Sequence, residues 1–493
     1  MKIKFLIALS LLPALLVAQI QTPFRQRTSI FSPEKKIYRV QGDYTMIGNT
    51  NLTLSSTSLD GYNDNDIPNS NNTLKYVDVD NDANTFNSST AALTFSQEYG
   101  ANPNCTEVVY AGLYWTGRTN DDSLNTNITE DMIIRDGQTL AGLTCNVEKI
   151  DGNWTEPSGL PTFLYTLITE SSDTLRITVQ KIDNNRYHVT DGSTGITQYN
   201  CAGKNYLGGG GNKNYAWVHL NTPIVWENYV IDIIYFYSAN EVSMRTSGVQ
   251  CTKNLGDYPK NKIKIKHANA NEYRTIEASP NDIYMDQMGD FIYVSYAEVT
   301  EYVQQYGLGN YTVADLVTNK GNGGSLGYLG CWGMVVVYEN SNMKWRDITL
   351  FDGYASLHQD FYELEIPIEG FRTVQVGRVN MKLGMMAAEG DRNMAGDSCF
   401  IQKQSDHSWF PLIHDGADSL SNFFNSSIQT GGNDRYPNYV NNTGIDIIVM
   451  DVPNDNNQII TNEQTSTAFK FTTRPRYVEA GDHEQYHPFC FVM

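Results

Sequence analysis

The sequence predicts an all-β protein built of tandem β-sandwich or jelly-roll-like domains, with long loops and one or a few short helices. Two observations lead to this fold class. Short runs rich in β-branched and aromatic residues recur along the chain, and each is bounded by Gly, Asn or Asp. Between them lie long segments rich in Asn, Asp, Ser and Gly, as at residues 58–72, 187–213 and 321–327.

Eight strands are predicted from this pattern. In chain order they cover residues 107–115, 175–182, 229–237, 291–296, 311–317, 373–383, 445–450 and 469–473. Helical spacing of apolar residues appears in "AEVTEYVQQYG", where Val299, Tyr302, Val303 and Tyr306 share one helix face. Gly307 is the predicted end of this short surface helix.

The stretch "GCWGMVVVYENSNMKWRDITLFDGY" carries two apolar runs, residues 334–338 and 348–351, on either side of a polar turn. This arrangement predicts a hairpin. Its side chains, among them Val335, Val337 and Ile348, form the nearly continuous apolar pattern that is typical of strands covered on both faces. We therefore assign the hairpin to the core and expect no chemistry from it.

The N-terminal segment predicts export. Lys2 and Lys4 precede an apolar run at residues 5–18, and Ala18 offers a small residue at a cleavage point. This is the pattern of a secretory signal peptide, and it is too short to span a membrane. No later run predicts a transmembrane segment. A chain of 493 residues has room for two or three domains. We predict a signal peptide at 1–18, a β-rich domain with long polar loops at 19–285, and a second β-sandwich domain at 286–493.

Composition limits the partners. The formal net charge of -20 argues against nucleic acid or an anionic membrane, because phosphate binding needs clustered Lys and Arg. The seven cysteines form no CxxC pair. Export permits disulfides, but an odd count leaves at least one thiol unpaired, so disulfides and buried free thiols are both open interpretations.

Two acidic loops predict calcium sites, since calcium prefers six to eight oxygen ligands of the kind that such loops supply. "DVDND" places Asp side chains at alternate positions, and "EGDRNMAGD" supplies a second group. The first loop departs from the EF-hand pattern, which requires Gly where Ala83 stands and Glu where Ser89 stands. The candidate ligands are Asp78, Asp80, Asp82, Glu389, Asp391 and Asp397.

"HEQYH" matches the H-E-x-x-H pattern of zinc peptidases through His483, Glu484 and His487. That chemistry needs a helix, so that both imidazoles face one metal ion. Pro488 biases His487 away from a helical conformation. A turn before a last strand is therefore the favoured interpretation, and we predict no catalytic residue.

Several motifs in order resemble a family of large, secreted, adhesin-like surface proteins of Bacteroidota. They are "KYVDVDNDANTFNSSTAALTF", "VVYAGLYWTGR", "NYTVADLV", the 25-residue stretch quoted above, "EGDRNMAGDS", "NFFNSSI" and "HPFCF". The resemblance covers roughly residues 40–492. It implies an extracellular β-rich module in surface attachment or structure, with no established catalytic residues. Family members usually continue past the matching strand into further repeats and a C-terminal sorting domain. This sequence ends at "CFVM", so we do not extend the expectation of sorting through such a domain to it.

The function expected from these observations is that of a secreted, non-enzymatic cell-surface protein, acting in adhesion or as a structural component. Its expected partners are other surface proteins or glycans. Abundant aromatic residues favour a second hypothesis, a secreted carbohydrate-binding or carbohydrate-degrading protein. A zinc peptidase acting through "HEQYH" is the third.

Overall fold

The structure is a computed structural model that describes residues 20–55, 70–140, 142–150, 162–206, 215–237, 246–417, 419–474 and 484–493. Most of the chain is in strands, so the predicted all-β class is confirmed. The described residues contain one α-helix, α1 (Thr300–Tyr306), within the predicted helical segment. Gly307 follows it with a φ of 66°, a left-handed conformation that favours glycine. The predicted signal peptide lies outside the described residues.

The chain forms two compact units. Unit 1 comprises Met1–Thr126 and Tyr258–Met493, and unit 2 comprises Asn127–Asp257. The predicted domain boundary at residues 285 and 286 falls inside unit 1. Two strands on either side of it, Ile283–Met285 and Ile292–Glu298, pair with each other in one sheet.

The strands before unit 2 belong to unit 1; they are β1 (Ile20–Gln26), β2 (Tyr38–Thr50), β3 (Leu52–Leu54), β4 (Thr73–Tyr76), β5 (Ser88–Leu93) and β6 (Glu107–Arg118). The next ten strands share one sheet; they are β7 (Asn125–Arg135), β8 (Thr139–Leu140), β9 (Leu143–Ile150), β10 (Thr162–Thr169), β11 (Thr174–Lys181), β12 (Arg186–Asp191), β13 (Thr197–Asn205), β14 (Tyr215–Trp226), β15 (Tyr229–Tyr237) and β16 (Thr246–Pro259). Strands β7 and β16 carry the chain into and out of unit 2.

The remaining strands belong to unit 1. The first of them are β17 (Lys262–His267), β18 (Arg274–Glu277), β19 (Ile283–Met285), β20 (Ile292–Glu298), β21 (Gly309–Ala314), β22 (Gly321–Asn322), β23 (Gly330–Glu339), β24 (Trp345–Ile348) and β25 (Leu350–Ala355). The last are β26 (Glu363–Glu369), β27 (Lys382–Ala388), β28 (Ser398–Gln402), β29 (Trp409–Pro411), β30 (Ile428–Gln429), β31 (Arg435–Tyr436), β32 (Ile445–Asp451), β33 (Ser466–Thr472) and β34 (His487–Val492).

Two six-stranded sheets form the centre of unit 1. Sheet 1 has the order β1-β25-β34-β27-β32-β30, and sheet 2 has the order β19-β20-β6-β23-β2-β24. Their facing side chains share one core, which includes Tyr44, Tyr114, Val335, Ile447 and Val492. This face-to-face packing of mainly antiparallel sheets is a β-sandwich.

Smaller sheets cover the central ones. The four-stranded sheet β26-β33-β28-β29 packs on sheet 1, where Phe469 and Phe471 lie 5.9 and 5.6 Å from the ring of Phe491. The five-stranded sheet β18-β17-β21-β5-β31 contacts sheet 2, because Trp332 Nε1 donates a hydrogen bond to Ser89 Oγ at 2.9 Å. Strand β23 is therefore covered on both faces, as its apolar run predicted. A three-stranded sheet, β22-β4-β3, completes unit 1 as described.

The predicted hairpin is wrong in its pairing. Strands β23 and β24 both pair with β2, which lies between them in sheet 2. Along the β2–β23 pair, Gly48 lies opposite Gly333. A Cβ at Gly48 would lie 2.3 Å from the carbonyl oxygen of Trp332 and 2.4 Å from Ile447 Cδ1, so this strand needs glycine to fit beside its neighbours.

Seven of the eight predicted strands coincide with observed ones to within a few residues. The strand predicted at 373–383 is wrong, because residues 371–381 form a loop and β27 begins at Lys382. All seven cysteines are free, and six of them are buried. Of the two interpretations left open by the sequence, the structure therefore shows free thiols.

Candidate functional site

The Asp78–Asp82 candidates lie in the loop between β4 and β5, and their carboxylates hold that loop together. Asp80 Oδ1 accepts hydrogen bonds from the Asp82 backbone N–H at 2.9 Å and from Thr85 Oγ1 at 3.0 Å. Asp78 Oδ1 accepts one from Ser88 Oγ at 2.8 Å. The hydroxyl of Tyr273 donates to Asp80 Oδ2. These bonds bring the carboxylates of Asp78 and Asp80 close together.

The electrostatics of this loop are those of crowded negative charge. Burial raises the pKa of Asp78 above its ordinary value, and the neighbouring carboxylate of Asp80 raises it further. The ammonium of Lys264 is nearby: it donates to the backbone carbonyl of Asn84 at 3.0 Å and pairs with buried Asp315 at 2.7 Å. A cation bound at the loop would relieve the repulsion between the two carboxylates.

Glu389 and Asp391 lie in the turn after β27, and both are buried. Burial raises the pKa of Glu389 well above its ordinary value; Asp391 and Asp290 raise it further, and Arg118 opposes them. The backbone N–H of Asp391 donates to Glu484 Oε1 at 3.0 Å. The carboxyl groups of Asp391 and Glu484, 93 positions apart in the chain, therefore lie near each other in the interior.

Asp397 lies just before β28 and is fully buried. Its Oδ2 accepts a hydrogen bond from the Phe424 backbone N–H at 2.6 Å, and burial raises its pKa to about 7. In strand β32, Asp446 accepts backbone N–H bonds from Asn425, Ser426 and Ser427 at 2.9–3.2 Å, and burial raises its pKa to about 8. Both carboxyl groups thus organise the chain at residues 424–427.

We name these five residues, Glu389, Asp391, Asp397, Asp446 and Glu484, the buried acidic centre. Burial raises the pKa of Glu484 well above its ordinary value, and Asp391, Glu389 and Asp397 add to the rise. Within the described part of the chain, no three His, Cys, Asp or Glu side chains are arranged to hold a metal ion. Calcium also takes backbone and amide oxygens, so calcium binding at either acidic loop stays a prediction.

The "HEQYH" segment is not helical where it is described. His487 is the first residue of β34, and Glu484, three residues before it, is in neither a helix nor a strand. The imidazole of His487 is buried, stacks on Tyr354 at 5.6 Å, and has its Nδ1 3.1 Å from the Tyr354 hydroxyl. Burial lowers the pKa of His487 to about 4. His483 lies outside the described residues.

Sequence reasoning missed two members of the buried acidic centre. Asp446 stands within the apolar run "IDIIVM", where a charged residue on a buried face is itself a signal of a polar interior. Glu484 was noticed only as part of the zinc pattern. Its contact with Asp391 joins positions 93 residues apart, and such a contact has no local signature in the sequence.

No family model matches the chain, and no curated protein is significantly similar to it. The helix α1, with seven residues, is far below the length that crosses a membrane, and nothing else in the described ranges is a helix of sufficient length and hydrophobicity.

Proposed function

We propose that this protein is an exported, non-enzymatic cell-surface protein that acts in adhesion or as a surface structural component. The observation that carries the proposal is the layered β architecture of unit 1, in which each central sheet is covered on both faces. Such a body is rigid and presents its long loops at the surface. The secretory pattern at the N-terminus and the resemblance to adhesin-like proteins of Bacteroidota support the same function.

The chemistry of the buried acidic centre supports a structural role. Raised pKa values of carboxyl groups are typical of acid–base catalysts, but a catalyst must also touch its substrate. Glu389 and Asp391 are 2% exposed, and Asp397 and Glu484 are fully buried. Asp397 accepts a hydrogen bond from the backbone N–H of Phe424, and Glu484 accepts one from the backbone N–H of Asp391, so both carboxyl groups hold the chain in place.

Surface labelling of intact cells of the source organism tests the proposal. We expect an antibody against unit 2 to label intact cells, and external protease to remove that signal without permeabilisation. A deletion strain should attach less well to its surfaces or lose surface material, and complementation should restore the phenotype. A mature protein that is found only in the cytoplasm would contradict the proposal.

A second candidate function, carbohydrate binding, is favoured by one specific observation. Trp115 and Trp332 are buried, as expected for core anchors, whereas the indole of Trp345 is 66% exposed. An exposed indole beside polar groups is the surface on which sugar rings stack.

A further inference from the structure

A shallow cleft of about 340 Å³ lies at the edge of sheet 2. One wall is formed by Arg39 of β2 with Trp345 and Asp347 of β24, and the other is formed by the loop at residues 372–375. Strand β24 is the last strand of its sheet, so this wall is a sheet edge. The volume is within the range of small-ligand sites in proteins.

The cleft exposes apolar surface on both sides. Across it from the indole of Trp345, Val374 is 54% exposed, and Val376 in the same loop is 86% exposed. Single exposed apolar side chains are common on proteins and need no explanation. Here an aromatic face and an aliphatic side chain line one concavity, which is typical of a binding site.

The charges of the cleft are compensated in pairs. Arg39 donates to Asp347 through Nε at 2.8 Å and Nη2 at 3.0 Å, and Arg372 pairs with Glu463 at 3.1 Å. A guanidinium has five N–H donors, so the pair with Asp347 leaves Arg39 donors for a ligand. Arg346, which also lines the cleft, pairs with Glu98 at 2.6 Å. With each guanidinium paired to a carboxylate, the cleft suits a polyhydroxylated, uncharged ligand better than a phosphate or sulfate.

Both walls are held in shape without a ligand. In the loop, Thr373 Oγ1 donates to the carbonyl of Thr461 at 2.7 Å, and the side chain of Asn462 donates to the carbonyl of Val374 at 2.9 Å. On the other wall, the backbone of Trp345 is paired with that of Gln41 of β2. A preorganised site loses little conformational entropy on binding, so even a shallow cleft can bind a small ligand.

We propose that this cleft is a binding site for neutral saccharides, in which the indole of Trp345 stacks on a sugar ring and the paired arginines bind its hydroxyl groups. This inference rests on the proposed function, since it names the class of surface ligand. The competing occupant is a peptide that pairs with the sheet edge. It is disfavoured because β24 has only four residues and offers few backbone hydrogen bonds.

The test is calorimetric titration of residues 19–493 with neutral hexasaccharides of glucose, mannose, xylose and N-acetylglucosamine, and with a heparin hexasaccharide. We expect at least one neutral sugar to bind. Trp345→Ala should weaken it at least about tenfold, while Trp345→Phe, which keeps an aromatic ring, should retain a large part of the affinity. Tyr199→Ala is the matched control, since Tyr199 is a similarly exposed aromatic residue in unit 2.

Each other result overturns the inference. These results are binding by none of the neutral sugars, binding of heparin alone, and equal binding by the Trp345→Ala variant with an unchanged melting temperature. The alternative of a peptide partner is tested by measuring binding of the protein to immobilised mucin before and after periodate treatment, which destroys the diols of sugars. Binding that depends on Trp345 and survives periodate contradicts a saccharide ligand. Surface labelling of intact cells distinguishes failure of this inference from failure of the proposed function. A protein that is found at the cell surface but binds no sugar contradicts the saccharide site and leaves the proposed surface function standing.

Discussion

Buried carboxyl groups of unit 1 differ in whether a cation lies beside them. Asp352 is fully buried and forms an ion pair with Arg27, and the hydroxyl of Tyr114 donates to it at 3.2 Å. Asp397 is equally buried, but its hydrogen bond comes from a backbone N–H, and its Oδ1 has no hydrogen-bond partner among the described residues. An unpaired buried carboxylate is costly, so Asp397 binds a proton more readily than an exposed aspartate.

This difference predicts a pH dependence that Asp397→Asn removes. Burial raises the pKa of Asp397 to about 7 in the folded state. The pKa of an aspartate in an unfolded chain is about 3.9. Its contribution to stability is therefore complete below about pH 4 and is lost as the pH rises to about 7. The loss is at most roughly 4 kcal/mol. Asparagine keeps an acceptor for Phe424 and carries no charge.

Thermal melts at pH 5 and pH 8 in EDTA measure this effect. We expect the melting temperature of the wild-type protein to fall further from pH 5 to pH 8 than that of the Asp397→Asn variant. Exposed Asp434→Asn serves as the control and should follow the wild-type protein. An equal pH response of wild-type and Asp397→Asn proteins would show that Asp397 is ionised in the folded state.

At the scale of elements, local patterns predicted strands well and their partners poorly. The apolar run of β23 was recognisable because both faces of that strand are covered. Its partner β2 was not predicted, since Gly42, Asp43 and Gly48 interrupt the alternation of apolar residues. Those glycines are explained by close approach to neighbouring strands, which is a property of the assembled sheets.

The false strand at 373–383 has a different cause. Val374 and Val376 alternate with polar residues as in a strand, yet both are exposed. The backbone of this segment bonds to side chains instead of a neighbouring strand: Asn457 and Asn462 donate to the carbonyl of Gly377 at 2.8 and 3.1 Å. Side chains that take the place of a neighbouring strand as hydrogen-bond partners leave no periodic pattern in the sequence of the segment that they bind.

The acidic loops could be found from sequence because carboxylates at short spacings lie close in space. Their environments could not, since burial distinguishes Glu389 from Asp82 only once the sheets are assembled. The cleft was also beyond prediction. Residues of its two walls are about 25 to 335 positions apart in the chain, and the exposure of Trp345 depends on β24 being a sheet edge.

Calcium binding is predicted at the Asp78–Asp82 loop. This loop is partly exposed and holds two adjacent carboxylates, whereas the buried acidic centre is closed to solvent. After removal of metals with EDTA, calcium at a hundredfold excess over its dissociation constant should stabilise the fold by about 2.7 kcal/mol. Asp80→Asn should abolish most of the rise in melting temperature, and Glu389→Gln should retain it.

Zinc at the same concentration is the control for the predicted calcium preference, because oxygen-rich loops favour calcium. A rise in melting temperature with zinc alone would instead indicate a zinc site near His487. An unchanged melting temperature with calcium would contradict the calcium prediction at both loops.

At the scale of the whole molecule, unit 2 is an insertion in the chain of unit 1. Its first and last residues lie together, since the side chain of Asn127 donates to Asp257 Oδ1 at 3.0 Å and to Asn254 Oδ1 at 3.0 Å. Unit 2 also has its own apolar core, which includes Tyr165, Ile177, Val218 and Ile234. Adjacent ends and a separate core are features of an independently folding domain.

We therefore expect unit 2 to fold alone and unit 1 to fold without it. Residues 125–259 expressed separately should melt cooperatively and give the circular dichroism of a β protein. Because the ends of the insertion are adjacent, a short Gly-Ser linker in place of residues 127–257 should leave unit 1 with a cooperative melt. It should also keep any saccharide affinity that depends on Trp345, since both walls of the cleft belong to unit 1. Loss of cooperative melting in either piece would show that the two units stabilise each other.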